Sequence, residues 1–215
     1  MRFNGNVLLC LEKTTDTMIR EIYLAAGCFW GAEHYLKKIR GVMMTEVGFA
    51  NGRTANPTYK EVYTDTTGYA ECVHVQYDDA QLTLSLLLQL YLRAIDPTSL
   101  NRQGEDEGTR YRTGIYYTDD DNERVARTVL SEAQHAYDAP FCVELLPLEN
   151  FYPAEGYHQD YLDKNPTGYC HLSRELFDFA ERANRRDPSD LLQKTYGEVK
   201  DFHVNSAKEL YEKDC

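Results

Sequence analysis

The chain lacks a basic face, a long apolar run and a paired-cysteine motif, and each lack excludes a class of protein. Lysine and arginine total 23 against 35 aspartates and glutamates, a formal charge of −12 at pH 7. Nucleic acid and anionic membrane both need a basic footprint, so neither is expected as the main partner. Apolar runs such as Val7 to Leu11 extend over only a handful of residues, whereas a membrane-spanning helix needs about 20. That stretch is also too short for a secretory signal, whose apolar region spans roughly 7–15 residues. Cysteine is sparse. Cys10, Cys28, Cys72, Cys142, Cys170 and Cys215 are the only six in 215 residues, too few for a disulfide scaffold. No C-x-x-C occurs, so no structural zinc site is expected. A cytoplasmic protein with one or two working thiols fits this composition, and a monomer is the default expectation.

What is present describes a folded chain. Hydrophobic residues make up 42%, with 17 tyrosines, too much apolar surface for disorder. The length predicts one domain with at most a small appendage. Residues 1–17 read as a loose N-terminal extension, 18–187 as the folded domain and 188–215 as a tail of unknown role. There is no internal repeat.

Periodicity predicts the elements. Glu21 to Ala26 reads as a strand that Gly27 breaks. A helix follows from Cys28 to Arg40, with Phe29, Ala32, Leu36 and Ile39 on one face and Gly41 as its C-terminal cap. Val42 to Phe49 reads as a strand, followed by turn and loop signals at 50–53 and Asn56-Pro57. In the strand Glu71 to Tyr77, Glu71, Val73, Val75 and Tyr77 share one side; Cys72, His74 and Gln76 share the other. Asp78-Asp79 can cap a helix from Ala80 to Ala94 with a Leu82, Leu86, Leu87, Leu90, Tyr91 stripe, which Asp96-Pro97 ends. Residues 98–112 form a long polar loop. A strand covers 113–118, and the acidic run 119–122 reads as the start of a helix reaching about Asp138. A strand over 141–146 and a helix over 172–184 flank a stretch rich in Tyr, Pro and Gly. This order predicts an α+β two-layer sandwich with a split-βαβ, ferredoxin-like core and a long irregular C-terminal segment. Both long loops exceed ordinary connections, and such loops are usually functional.

Cys28 is the most informative residue. It follows a strand and a glycine and opens a helix, where free N–H groups and the helix dipole should lower its pKa. The competing reading is a buried structural cysteine. Glu71, if it faces the core, is a carboxyl kept protonated by desolvation and able to act as a general acid; otherwise it sits at the strand end and reaches water. Tyr59, Asp106 and Tyr111 lie on loops and carry groups that can orient a polar substrate, although any one tyrosine of 17 is more often packing. Cys170, in the Gly/Pro-flanked stretch NPTGYC, is either a mobile partner for a distant thiol or an unpaired surface thiol.

The motif GCFWGAE at 27–33 resembles the signature of the peptide methionine sulfoxide reductase A family. GFANG at 48–52, NPTY at 56–59, GYAE at 68–71, RQGEDEGTRYRTGIYY at 102–117 and HQDYLDKNPTGYC at 158–170 extend the resemblance in order over residues 19–180. The resemblance implies an α+β sandwich that reduces the S epimer of methionine sulfoxide, free or in oxidised proteins. It implies no metal or organic cofactor, with thioredoxin (or dithiothreitol) as electron donor. By position, Cys28 matches the nucleophile, Glu71 the acid that protonates the sulfoxide oxygen, and Cys170 the recycling cysteine. Tyr59 and Tyr111 match hydroxyls that bind that oxygen, Asp106 a carboxylate that orders the site, and Phe29 and Trp30 the methyl pocket. The chain departs from relatives with a second recycling cysteine shortly after the first, since Cys170 is followed by His171-Leu172-Ser173. Cys215, at the chain end, is the remaining candidate for that second role, without support from its surroundings.

Two other classes remain to be weighed. A cysteine hydrolase would need His34, His74 or His158 beside Cys28 as base. A non-catalytic module binding oxidised methionine would keep its effect in Cys28→Ser.

Overall fold

The structure is a computed structural model describing residues 18–183. The expected N-terminal extension, the tail, Cys10 and Cys215 lie outside the described residues.

The chain begins with a strand, β1 (Ile19–Ala26), leading into helix α1 (Phe29–Leu36) and strand β2 (Val42–Ala50). A short helix α2 (Tyr59–Tyr63) precedes strand β3 (Ala70–Asp78) and helix α3 (Leu84–Arg93). Two-residue strands β4 (Arg102–Gln103) and β5 (Asp106–Glu107) pair with each other inside the long polar loop. Then come β6 (Thr113–Tyr117), helix α4 (Asp120–Gln134), β7 (Glu144–Pro147), β8 (Phe151–Pro153), α5 (Tyr161–Lys164) and α6 (Arg174–Arg182). Among the described residues the main sheet has six strands in the order β7-β6-β1-β3-β2-β8. The pairings of the four central strands are antiparallel; β7 joins β6 in parallel, and β8 joins β2 antiparallel. The fold is mixed α/β.

Alternation along β3 decides the two faces. Val73, Val75 and Tyr77 enter the main core with apolar residues from α1, α3, α4 and α6. Cys72 belongs to a small cluster on the opposite face with Tyr23, Ala25 and Tyr116. Leu87, Leu88, Leu90 and Tyr91 of α3 are fully or almost fully buried in the main core. Each such leucine stabilises by about 1.5–3 kcal/mol relative to exposure. The Tyr91 hydroxyl donates to the Ala25 carbonyl at 2.8 Å, so its burial leaves no orphaned donor.

Several boundaries differ from the sequence expectations. The first helix ends at Leu36 because residues 37–40 tighten into turns, with Lys38 N–H donating to Tyr35 O. Asp78 caps a turn through Ala80 N–H, and α3 starts later, behind Thr83. The helix α2 inside the expected loop is held by a capping box between Thr58 and Glu61. Its five residues are too few for periodicity to register. β8 lies inside the stretch read as irregular. Its backbone partners are on β2, so the local pattern carries no signal for it.

Candidate active site

The end of β1 and the start of α1 place Cys28. Gly27 has φ +80°, and a Cβ there would meet Gln103 Cβ at 2.7 Å. Glycine is therefore required both by backbone and by space. Gln103 in turn exchanges hydrogen bonds with both backbone groups of Asp96. This pins the β4–β5 hairpin over Gly27 and delivers Asp106.

Cys28 is the N-cap of α1 and is 5% exposed. The backbone N–H groups of Trp30 and Gly31 pull its pKa down, although the side chain closes no capping hydrogen bond. These N–H dipoles favour the thiolate, as the sequence predicts, but the net shift is opposite to the expected lowering. Burial, the Glu71 carboxyl and Asp106 hold the thiol well above its ordinary value. Desolvation in a water-poor pocket outweighs two backbone donors.

Glu71 faces the main core, opposite Phe49 in the β2–β3 register, and is 1% exposed. Burial pushes its pKa up to about 8, against the opposing pull of the Phe29 N–H and Arg110. It is a neutral acid near pH 7. Phe29 N–H donates to Oε2 at 3.0 Å, and Oε1 has no hydrogen-bond partner among the described residues. The proton therefore belongs on Oε1, free to be donated.

Tyr59 and Tyr111 come from α2 and the turn before β6. Burial and the nearby Glu71 raise both phenols, Tyr111 to about 12, and Cys28 acts on each. They are neutral O–H donors at neutral pH. Arg110 lies over the Tyr63 and Tyr111 rings and is tied to Asp65 at 2.5 Å.

Phe29 and Trp30 form the apolar wall. Phe29 is sealed in the core beneath Tyr59 and His158, while Trp30 stays part-exposed. Trp30 stacks on Tyr161 at 3.8 Å and donates its indole N–H to His158 Nδ1 at 3.0 Å. His158 lies 4.5 Å from the Tyr59 ring, and Glu155 accepts from Tyr59 N–H at 3.1 Å. The residues 155–161 thus lock the wall from outside. Glu33, in the same helix as Trp30, accepts from Asp160 N–H at 2.8 Å and Thr45 at 3.3 Å. Burial raises its pKa to about 7.

Cys170 lies on the segment before α6. Its sulfur is 2.9 Å from the position a Gly31 Cβ would take, and the Gly31 N–H is one of the groups that pull the Cys28 pKa down. One glycine therefore adjoins both thiols. The Cys170 thiol is raised by burial.

The structure brings Cys28, Glu71, Tyr59, Asp106, Tyr111, Trp30 and Cys170 to one place from positions up to 142 residues apart. It does not bring the three histidines of the hydrolase reading to the thiol. His34 pairs with Asp163, His74 stacks on Tyr23 and pairs with Glu21, and His158 is taken by Trp30. Among the described residues no imidazole hydrogen-bonds to Cys28. Sequence reasoning did not single out Glu33, Glu155, Tyr169 or His171. All four sit inside the motifs or beside the loop residues it quoted, but only the folded chain reveals what they touch. No group of three or more His, Cys, Asp or Glu side chains placed to hold a metal occurs among the described residues. No helix among them is long and apolar enough to cross a membrane.

Comparison with known proteins gives the family. The family model for peptide methionine sulfoxide reductase matches residues 20–188. The chain is 54% identical over 158 residues to the peptide methionine sulfoxide reductase MsrA of Clostridium acetobutylicum, covering 74% of this chain and 98% of that protein. It is 54% identical over 166 residues to MsrA of Lachnoclostridium phytofermentans, covering 77% and 100%. Among solved structures it is similar to reduced Mxr1 from Saccharomyces cerevisiae, with TM-score 0.69, 36% identity and coverage of 72% and 91%. It is also similar to methionine sulfoxide reductase A of Corynebacterium diphtheriae, with TM-score 0.66, 40% identity and coverage of 71% and 77%.

Proposed function

The chain belongs to the peptide methionine sulfoxide reductase family, and on that premise we propose that it reduces the S epimer of methionine sulfoxide, free or in proteins, through Cys28, Glu71 and Cys170. The observation that carries this reading is the pairing of a buried thiol at a helix N-terminus with a neutral buried carboxyl whose Oε1 is unengaged.

A sulfoxide oxygen is a poor leaving group until protonated. The Glu71 Oε1–H and the Tyr59 and Tyr111 hydroxyls hold that oxygen, while Trp30 and Phe29 hold the S-methyl group. The Cys28 sulfur takes the oxygen: the substrate S–O bond breaks, a Cys28 S–OH bond forms, and methionine leaves with two more electrons. The thiol is oxidised to sulfenic acid by the same two electrons. The Cys170 sulfur then attacks the Cys28 sulfur. The S–S bond forms, the S–O bond breaks, and hydroxyl leaves with the thiol proton as water. A thioredoxin-like dithiol reopens the disulfide by exchange. Three fixed contacts (methyl wall, oxygen donors, sulfur) distinguish one epimer from the other.

We read the four central strands as the split-βαβ core of this reductase. We place it in the cytoplasm as a monomer acting on oxidised proteins; its few cysteines and acidic surface support that setting. Residues 18–187 are taken as the catalytic domain, in line with the span of the family match.

The test is chiral. Racemic methionine sulfoxide is incubated with the protein and dithiothreitol, and the epimers are followed separately. Selective loss of the S epimer with methionine appearing is the expected result. Persistence of both epimers with folded, reduced protein overturns the reading.

A further inference from the structure

Helix α1 and its C-cap carry Trp30, Glu33, His34 and Lys37 at helical spacing i, i+3, i+4 and i+7, so the four lie along one face. Each of them meets the segment 158–163. Trp30 stacks on Tyr161 at 3.8 Å and donates to His158 Nδ1. Glu33 Oε2 accepts from the Asp160 N–H at 2.8 Å, and its Oε1 accepts from Thr45 Oγ1 at 3.3 Å. His34 Nδ1 lies 2.9 Å from Asp163 Oδ1, and Lys37 pairs with both Asp160 and Asp163.

These ties are unequal. Lys37, Asp160 and Asp163 are part-exposed, and ion pairs so placed contribute little. Glu33 is 2% exposed, so its bond to the Asp160 N–H is shielded at the carboxyl end. The Asp160 backbone needs such a partner. Its φ is +53°, a left-handed conformation that costs a non-glycine residue free energy and persists only where its surroundings fix it. Asp160 opens α5, whose four residues are too few to hold a helix by themselves. The residue after this turn is Tyr161, the ring on Trp30. Gln159 anchors the preceding position separately, exchanging hydrogen bonds with both backbone groups of Val47. Releasing the turn at 160 therefore leaves the segment docked on β2 and frees the ring that follows.

We propose that Glu33 is a positioning residue for the methyl wall: it holds the left-handed turn at Asp160, and through that turn keeps Tyr161 stacked on Trp30. This rests on the reading that Trp30 holds the S-methyl group of the substrate. Glu33 acts through the two rings and not on the reacting atoms. The consequence is specificity. A wall held at a fixed depth admits a methyl group and resists a larger alkyl group, whereas an unpinned ring moves aside.

The experiment compares wild type, Glu33→Met, Glu33→Gln and Lys37→Met as full-length proteins with dithiothreitol. One readout is the emission of Trp30, the chain's only tryptophan. The other is the ratio of kcat/KM for methionine sulfoxide to that for ethionine sulfoxide, which carries one more methylene on sulfur. A ratio cancels any loss of folded protein. In wild type it is expected to be about 10 or more, the worth of a methylene in a fixed apolar pocket. Glu33→Met fills similar space without an acceptor. It is expected to lower the ratio by about fivefold or more and to move Trp30 emission to longer wavelength, as the indole loses its stack and meets water. Glu33→Gln keeps an oxygen for the Asp160 N–H and is expected to stay within about twofold of wild type. Lys37→Met removes only the exposed ties and is expected to do the same. If Glu33→Met does not fold, Glu33→Asp, whose shorter side chain withdraws the carboxyl from the Asp160 N–H, is read in its place. An unchanged ratio or an unchanged emission in that variant overturns the proposal. An equal effect in Glu33→Gln does so too, since the acceptor is then not the cause. An equal effect in Lys37→Met would assign the hold to the whole helix face and overturn it as well. Wild-type protein that reduces both sulfoxides equally overturns the methyl-wall reading, and protein that reduces neither overturns the proposed activity; the role of Glu33 falls with either.

Discussion

The backbone N–H of Phe29 donates to Glu71 Oε2 at 3.0 Å, joining the first residue of the nucleophile's helix to the central strand of the sheet. This bond orients the carboxyl and leaves Oε1 as the proton-bearing oxygen. It also spends one of the N–H groups that α1 would otherwise present to an anion. The acid and the thiol are therefore set by one another. Ionising either raises the pKa of the other, because like charges oppose in a buried site.

That coupling predicts the effect of removing the acid. Glu71→Ala should slow sulfoxide reduction by roughly 10²–10⁴-fold, the usual worth of a positioned acid. The wild-type single-turnover rate should lose a required proton as pH rises through about 8. In Glu71→Gln that descending limb should vanish. Stopped-flow rates between pH 6 and pH 10 test both statements, and an unchanged rate in the alanine variant removes Glu71 from the mechanism.

Cys170→Ser should complete one turnover and then stall with thioredoxin. Methionine released per protein, measured in the burst, should approach one. Undiminished cycling would assign recycling to another cysteine.

Gly31→Ala places a methyl group 2.9 Å from the Cys170 sulfur and leaves the backbone N–H groups that face the Cys28 thiol in place. The second thiol must shift. Disulfide closure should slow more than methionine formation in the same burst experiment. Equal slowing of both would mean that the methyl disturbs α1 itself.

Glu33 predicts a pH dependence of stability. Its folded pKa is raised to about 7 from 4.5. The unfolded chain releases this proton first, so the group's contribution is fully present below pH 4.5 and is lost as pH rises through about 7. Glu71 acts in the same direction over a window reaching about 8. Glu33→Gln should therefore flatten part of the fall in melting temperature between pH 5 and pH 8. The glutamine retains an oxygen for Asp160 N–H. A slope identical to wild type would show that Glu33 titrates normally.

Much of this protein is determined locally, and sequence reasoning reaches that part. The two sides of β3 follow from a period of two, so the placing of Glu71 and Cys72 on opposite faces is legible without coordinates, whereas the burial of both faces is not. A glycine before Cys28 and a helix after it are likewise local signals. The ordered motifs make the family resemblance visible as well. What sequence reasoning gets wrong is the direction of the Cys28 shift. Helix N-terminal donors are a property of neighbouring residues, whereas the depth of burial and the approach of Glu71 and Asp106 come from strands and loops far along the chain. The same holds for β8, for the His158–Trp30 bond and for the approach of His171 to Asp106. Side-chain period and backbone breaks belong to short stretches of chain. Desolvation and long-range contacts exist only once the sheet order has brought distant stretches together, and that is where the chemistry of this site is decided.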